Sequence, residues 1–401
     1  MATPSLAMIP SGYKAGKVYS VLPESGVGDF DFTRATTATR INSSGLIETV
    51  AISVPRLEYP MIDGVVSGCP SLLLEPERLQ KIQYSEDFSN AAWAKQNVTI
   101  TSNSVISPDG TLNADKLTDD STNGAHRITD AFTTSATGSF TYSIFLKKGT
   151  LTTAQFQVFN TATASSANVD LVNGTITSDG AGVDHKIENY GNDWFKCSIS
   201  GTLSNTTTTV YLYLKQKPNY IGSGDYLYAW GAQFEEGSFS TSYIPNYGTI
   251  AGVTRSAETA NGAGDASTFN DSEGVLMFEA LFDKEYSVSR YISISDSSSS
   301  DRVLIGVTGG TNILRAFVFS GGVEQAQIIE TIDLSQTIKV SISYKQNEIK
   351  FYKNGFLVGE DTSGITPVGL SELAFNAYPA SALFYGKTKQ IQYFQTVLTD
   401  S

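Results

Sequence analysis

Three groups of residues in this chain have types and spacings that could do chemistry. Glu279, Asp283 and Glu285 share one strand parity, and a pair of carboxylates flanking a bond is what glycoside hydrolysis requires. Their spacing does not match the Glu-x-Asp-x-x-Glu arrangement of concanavalin-type glycosidases, and Asp283-Lys284-Glu285 reads as a turn after the strand. Glu235-Glu236, ahead of Gly237, reads as a solvated strand end. His126 and His185 are the only histidines, far apart, and no Gly-x-Ser-x-Gly elbow accompanies them, which argues against a Ser-His-Asp triad and a multi-histidine metal site.

The second group suits recognition. Trp194, Tyr190, Tyr220 and Tyr226 stand near loops that carry Asn189, Asn192, Asp193 and Asn219. Aromatic rings stack on pyranose faces while planar polar side chains exchange hydrogen bonds with hydroxyls, so Trp194, Tyr190, Asn192, Asp193, Tyr220 and Tyr226 are the candidate glycan-binding residues. The alternative is that Trp194 is core and the tyrosines ordinary strand residues. The third group is Asp29 to Glu48, where Arg34 and Arg40 sit among hydroxyl-bearing residues close to Phe30 and Phe32. Guanidinium groups suit bidentate pairing with carboxylates or backbone carbonyls. These four residues are the candidate attachment or oligomer interface, with an intrachain surface role as the alternative.

The elements that must position these groups are strands. Charged residues are sparse at 17%, while Ser, Thr, Gly, Tyr and Phe are abundant, which favours many short strands over long surface helices. A net charge of −13 disfavours a general nucleic-acid binder, which needs clustered cations. Cys69 and Cys197 are too far apart in sequence and context for a disulfide framework or zinc site and read as free thiols. No stretch is apolar enough for a membrane helix, and Ser5-Leu6-Ala7-Met8-Ile9-Pro10 is too short for a signal peptide, so synthesis and folding in the cytoplasm are expected.

Along the chain, residues 1–80 read as an extended N-terminal arm of short apolar pieces separated by turns and prolines. Residues 81–249 read as a β-sandwich of jelly-roll type. Tyr84 to Trp93 is the one candidate helical turn, with Ser85 or Asp87 as its cap. Phe140, Tyr142, Ile144 and Leu146 alternate onto one strand face, as do the apolar positions of Ala154-Gln155-Phe156-Gln157-Val158 and Val210-Tyr211-Leu212-Tyr213-Leu214. Asn173-Gly174 marks a hairpin. Residues 250–270 are small and polar and read as a linker. Residues 271–401 read as a second sandwich, with Asn354-Gly355 as a tight turn. The fold class expected is therefore all-β: an arm followed by two antiparallel sandwiches.

The Thr33-Arg34-Ala35-Thr36 core, the run Ser67-Gly68-Cys69-Pro70-Ser71-Leu72-Leu73-Leu74-Glu75-Pro76-Glu77-Arg78 and Tyr84-Ser85-Glu86-Asp87-Phe88-Ser89 resemble the opening of bacteriophage virion fibre proteins of the head-fibre and tail-fibre type. Ser107-Pro108-Asp109-Gly110-Thr111, Tyr142 to Gly149 and Trp230-Gly231-Ala232-Gln233-Phe234-Glu235 look like their carbohydrate-binding-module jelly roll. Ile349 to Gly355 and Ile391 to Gln395 look like a concanavalin A or laminin-G sandwich. The resemblance implies a non-enzymatic head fibre on the virion surface, docked on capsid or tail proteins by its arm, homotrimeric, and presenting sandwiches that bind host-surface glycans. Its alternatives are a tail-fibre lectin and a polysaccharide depolymerase. No cofactor is expected; structural calcium in such modules relies on consecutive aspartates, and Tyr228-Ala229-Trp230-Gly231 stands at that place.

Overall fold

The computed structural model describes residues 2–160, 163–179, 183–216, 219–284, 287–378 and 381–398. Among these, every regular element is a β-strand and the sheets are antiparallel. The chain builds two sandwiches. In the first, one sheet runs Val98–Ile106, Leu112–Asp119, Tyr226–Glu236, Gly138–Lys148, Trp194–Leu203, Asp184–Asn189. Its partner is a six-stranded sheet in the order Ala94–Gln96, Arg127–Thr133, Thr207–Tyr213, Thr153–Asn160, Thr163–Asp170, Thr175–Asp179. Because side chains alternate across a strand, Phe140, Tyr142, Ile144 and Leu146 all reach one core, where they meet Phe156, Val158, Val210 and Leu212.

The segment Tyr84 to Trp93 is not helical. Asp87 Oδ1 accepts the backbone N–H groups of Ser89 and Asn90 and the Ser89 hydroxyl, so the carboxylate closes a local turn instead of capping a helix. The turn is pinned by Phe88 and Trp93, both buried, with the Trp93 indole donating to the Tyr84 carbonyl at 2.8 Å.

The second sandwich has a sheet ordered Phe356–Asp361, Glu348–Lys353, Ile338–Lys345, Glu273–Phe282, Gly386–Phe394, Ser71–Leu74, Arg56–Glu58. It faces a five-stranded sheet of Val323–Thr331, Ile313–Ser320, Arg302–Val307, Arg290–Ser295 and Glu372–Ala374. Two N-terminal strands therefore complete a sheet begun by the C-terminal part, and a third, Leu6–Met8, also pairs with Gly386–Phe394. The first 80 residues do not extend away as a free arm. Strands this short cannot bury their own apolar faces, and Leu6, Met8, Phe30, Phe32, Leu72 and Leu74 instead enter the second core. At roughly 1.5–3 kcal/mol for each fully buried side chain, those six contribute on the order of 10 kcal/mol to holding the segment down.

Residues 250–270, expected as a linker, stitch the two halves together. Val253–Arg255 pairs with Arg78–Gln80, and Thr259–Asn261 pairs with Phe30–Thr33. Between them Arg255 and Glu258 are completely buried in a network of opposite charges. Glu258 Oε1 accepts from Arg34 Nη1 at 2.6 Å and from Arg56 Nε at 2.8 Å, and its Oε2 accepts from Arg56 Nη2 and from the Glu75 amide at 3.0 Å. Glu75 in turn pairs with Arg56 at 2.8 Å and Arg255 at 2.7 Å and accepts the Ser242 amide. Burial alone would raise the Glu75 carboxyl, but Arg255 and Arg56 outweigh it and hold it well below the usual carboxylate range.

This network relocates the candidate interface. Phe30, Phe32 and Arg34 are no more than 2% exposed and face the chain's own interior, because Phe30 and Phe32 alternate onto the second core and Arg34 reaches Glu258. Arg40 alone stays near the surface, with Nε 2.6 Å from Glu48 Oε1 across the Ala38–Ile41 and Ile47–Val50 hairpin and Nη2 2.9 Å from the Tyr13 hydroxyl.

Candidate functional site

The outer face of the six-stranded sheet in the first sandwich gathers residues of one chemical kind. The alternation that sends Phe156, Val158, Val210 and Leu212 inward sends Gln155, Gln157, Tyr211 and Tyr213 outward. The register then aligns them in rows across the strands. One row reads Gln96, Arg127, Tyr213, Gln155, Asn168, Thr177, each directly opposite the next. The neighbouring row contains Thr129, Tyr211, Gln157 and Ser166.

Within this face the Tyr211 and Tyr213 rings stack with centroids 5.7 Å apart and planes within 10°. The Arg127 guanidinium lies 5.1 Å and 5.5 Å from the two ring centroids, donates to the Tyr213 hydroxyl at 2.9 Å, and is held from the other side by Gln96 Oε1 at 2.8 Å. Gln155 donates to Asn168 Oδ1 at 3.1 Å, but its own carbonyl oxygen is buried without a partner. Gln155 is 5% exposed, and an orphaned buried acceptor costs roughly 1–3 kcal/mol. Arg127, Thr129, Tyr211 and Asn168 remain half-buried around it. Such a surface can stack a sugar ring on tyrosine and exchange hydrogen bonds with its hydroxyls through amides and a guanidinium.

The six glycan-binding candidates do not form one site. Trp194 is 1% exposed; its indole donates to the Ile106 carbonyl at 3.0 Å, and it packs in a cluster with Phe145, Trp230 and Tyr243. Tyr190 is half-buried edge-on to Phe145, and burial together with Glu188 pushes its hydroxyl pKa well up. Tyr190, Asn192 and Trp194 are brought together along a groove of about 590 Å³ against the 43–46 turn and the 61–66 hairpin. That hairpin rests on the 189–193 turn so closely that a Cβ at Gly191 would lie 2.5 Å from the Gly64 carbonyl oxygen. Asn192 and Asp193 form the left-handed corner of the turn, with φ of 51° and 63°, and Asp193 lies 3.4 Å from Lys148. Tyr226 is on a different strand, beneath the Lys116 ammonium at 4.0 Å. Tyr220 is tied to Asp119 at 3.0 Å and to the His126 ring, with centroids 4.3 Å apart.

The carboxylates singled out for hydrolysis are occupied elsewhere. Burial raises Glu279, but Gln390 at 3.0 Å and Lys389 at 3.3 Å outweigh it and keep the carboxyl below its usual range. Asp283 pairs with Arg290, and Glu285 lies outside the described residues. Glu235 is fully buried, not solvated, because it accepts the Thr241 amide at 3.1 Å and the Thr241 hydroxyl. In the junction cleft, Glu58 pairs with Lys387 at 2.6 Å and Glu188 with Lys186 at 2.7 Å. Among the described residues no group of three or more His, Cys, Asp or Glu is placed to hold a metal ion, and no helix is long and apolar enough to cross a membrane.

The residues of the sheet face were missed by reading loops for aromatics. The signal that could have found them is the outward parity of Gln155, Gln157, Tyr211 and Tyr213 in two strands whose alternation is plain; only the pairing register joins them to Arg127 and Asn168.

No known family model matches the chain, and comparison with curated protein sequences finds no relative. Among solved structures the chain is similar to the CBM40 of a Ruminococcus gnavus IT-sialidase bound to alpha2,3 sialyllactose, at 12% identity over 34% of this chain and 88% of that one, with a TM-score of 0.30. It is also similar to domains LG4-5 of the mouse laminin alpha1 chain, at 12% identity over 70% of this chain and 92% of that one, with a TM-score of 0.24.

Proposed function

We propose that this chain is a non-enzymatic, saccharide-binding structural component of a bacteriophage particle, a head fibre whose first sandwich holds a host-surface glycan on the face presented by the half-buried Arg127, Tyr211 and Asn168, with the buried Tyr213 and Gln155 supporting them. The observation that carries the binding role is the row of aromatic, guanidinium and amide groups in register across the sheet. Tyr190 and Asn192, lining the groove at the junction, are proposed as a second contact region, with Trp194 supporting it from below. The non-enzymatic reading is supported at the positions singled out for hydrolysis, where Gln390 and Lys389 outweigh burial and hold Glu279 below its usual range and Asp283 is paired with Arg290. The virion role rests on the resemblance of Asp29 to Ser89 to fibre proteins. Docking on capsid proteins and trimerisation then use outer surfaces such as Arg40, since Leu6–Met8, Arg56–Glu58, Ser71–Leu74 and Arg78–Gln80 are paired into the large sheets.

The same sheet face favours a second reading, a tail-fibre lectin that recognises the host receptor. A glycan array with the intact chain, followed by titration calorimetry, tests the binding role. Tyr211→Ala and Arg127→Ala should each weaken the best ligand about fivefold or more, since stacking and cation–π contacts are worth about 1–3 kcal/mol in such sites. No retained glycan, or undiminished binding by both variants, would refute it. Immunogold labelling of particles separates head from tail, and release of reducing sugar from host polysaccharide would overturn the non-enzymatic assignment.

A further inference from the structure

A second surface of the first sandwich is built from saccharide-recognising groups and belongs to none of the regions above. A cavity of about 440 Å³ opens where the 84–89 turn, the bulged strand around Asn103 and the 246–247 segment meet. Two tyrosines, three asparagines, two serines and three carboxylates line it, with no lysine, arginine or aliphatic side chain among them. It shares no residue with the Arg127 face or with the groove at Tyr190.

Its parts are held in place from behind. Tyr247 is 72% exposed, yet its hydroxyl donates to Glu86 Oε1 at 3.1 Å, so the ring stands at the cavity edge in a fixed direction. Tyr243 donates to the same oxygen at 2.8 Å and Asn113 Nδ2 to the other at 3.0 Å. Asn113 thereby uses its donors on Glu86 and Asp109, and its carbonyl oxygen is buried without a partner. Behind it Asp115 accepts the backbone amides of Phe88 and Asn103. Lys95 donates to the Ser89 and Asn90 carbonyls and offsets the charges of Asp87 and Asp115, whereas Glu86 is met only by neutral donors; that carboxylate and the ring platform of Tyr247 together select a ligand with a flat apolar face and a positive charge.

We propose that this cavity is a separate binding site for a sugar carrying a protonated amine, stacked on Tyr247 with the ammonium directed at Glu86. Burial holds both Glu86 and Asp115 above the usual carboxylate range, Asp115 at about 6, which is the condition an incoming ammonium relieves. Acidic sugars are excluded by the same charges, and N-acetylation of the amine removes the ion pair.

The test is calorimetric titration of the intact chain with the disaccharide of glucosamine, compared with its di-N-acetylated form. The amine form should bind at least tenfold tighter than the acetylated one. Tyr247→Ala and Glu86→Gln should each lower that affinity tenfold or more, whereas Val323→Ala, exposed on the second sandwich, should leave it unchanged. Tyr247 is exposed enough that its truncation leaves the fold intact, which its melting temperature will verify. No binding of the amine form at millimolar concentration, equal affinity for the acetylated form, or an affinity unmoved by Tyr247→Ala would each overturn the proposal. Because the Arg127 face is probed by different variants, failure here is distinguishable from failure of the glycan-binding role above.

Discussion

Replacing Arg34 by methionine should be among the most damaging single changes in the N-terminal segment. Methionine retains the apolar stem, so the loss is confined to the guanidinium. That group makes a 2.6 Å contact to Glu258 and donates to the carbonyls of Thr36, Val54 and Ala51, all within the chain. Without it Glu258 keeps only Arg56 as a cationic partner, and three backbone acceptors lose a donor in a buried place. Removing one partner of a buried ion pair costs about 3–5 kcal/mol, because the remaining charge stays desolvated. At roughly 2–4 °C per kcal/mol, the expected fall in Tm is about 6–20 °C. Arg40→Ala is the internal control: its Glu48 partner is 36% exposed, and such a pair is worth about 1 kcal/mol or less. Differential scanning calorimetry on the two variants decides. An Arg34→Met protein melting within about 2 °C of the parent, or an Arg40→Ala protein melting as low, would refute the account of the network. Under the proposed virion role, lost incorporation of an Arg34 variant would report a weakened fold, so Arg40→Ala is the substitution that probes an interface.

Two further outcomes follow. Trp194→Ala should lower Tm strongly, since truncating a buried tryptophan costs about 3–5 kcal/mol and the Ile106 carbonyl loses its donor, while Tyr211→Ala should leave Tm within about 2 °C; thermal melts of the pair check this. Stability should also peak on the acid side of neutrality. Asp115 and Asp130 are raised by burial to about 6, so the folded state binds more protons than the unfolded one between about pH 4 and 6, and stability falls as pH rises through that window. Glu75 is depressed, so its contribution is present above about pH 4.5 and is lost as pH falls below it. Tm should therefore rise on going from pH 7 to about 5 and drop below about 4, and Asp130→Asn should flatten the upper limb; a Tm that climbs steadily from pH 5 to 7 contradicts it.

The strands of both sandwiches were legible because their signals are local. Asn354 and Gly355 take φ of 51° and 86° and turn Lys353 directly onto Phe356, as the dipeptide requires. Phe140 to Leu146 alternate because one face is core. Asn173-Gly174 likewise lies between paired strands, although the pairing closes at Asp170 and Thr175, leaving a four-residue connection. What was not legible is non-local. Arg34 lies 224 residues from Glu258, and nothing near either residue names the other. The prolines and short apolar pieces before residue 80 read as an arm, since their sheet partner is a strand more than 300 residues later. Residues 250–270 read as a linker because small polar residues carry no periodicity, yet two of the most deeply buried charges lie there.

That non-local stitching has a bearing on binding. Every strand contributed by the first 80 residues to either sandwich removes freedom between the halves, and the five buried charges at their meeting place, Arg34, Arg56, Arg255, Glu75 and Glu258, come from four separate segments of chain. Sites that use a few tyrosines and amides are individually weak, because each stacked ring and hydrogen bond adds only about 1 kcal/mol or somewhat more. Weak sites become effective when their spacing is fixed, since the second contact is then intramolecular and its effective concentration is set by geometry. A chain whose two ends were free to swing would spread that concentration over many arrangements. Here the outward face at Arg127 and the cavity at Tyr247 stand on one sandwich whose closing strand, Tyr226–Glu236, is paired with the N-terminal Arg78–Gln80, so under the two proposals above a surface displaying several sugars would meet a fixed pattern of groups.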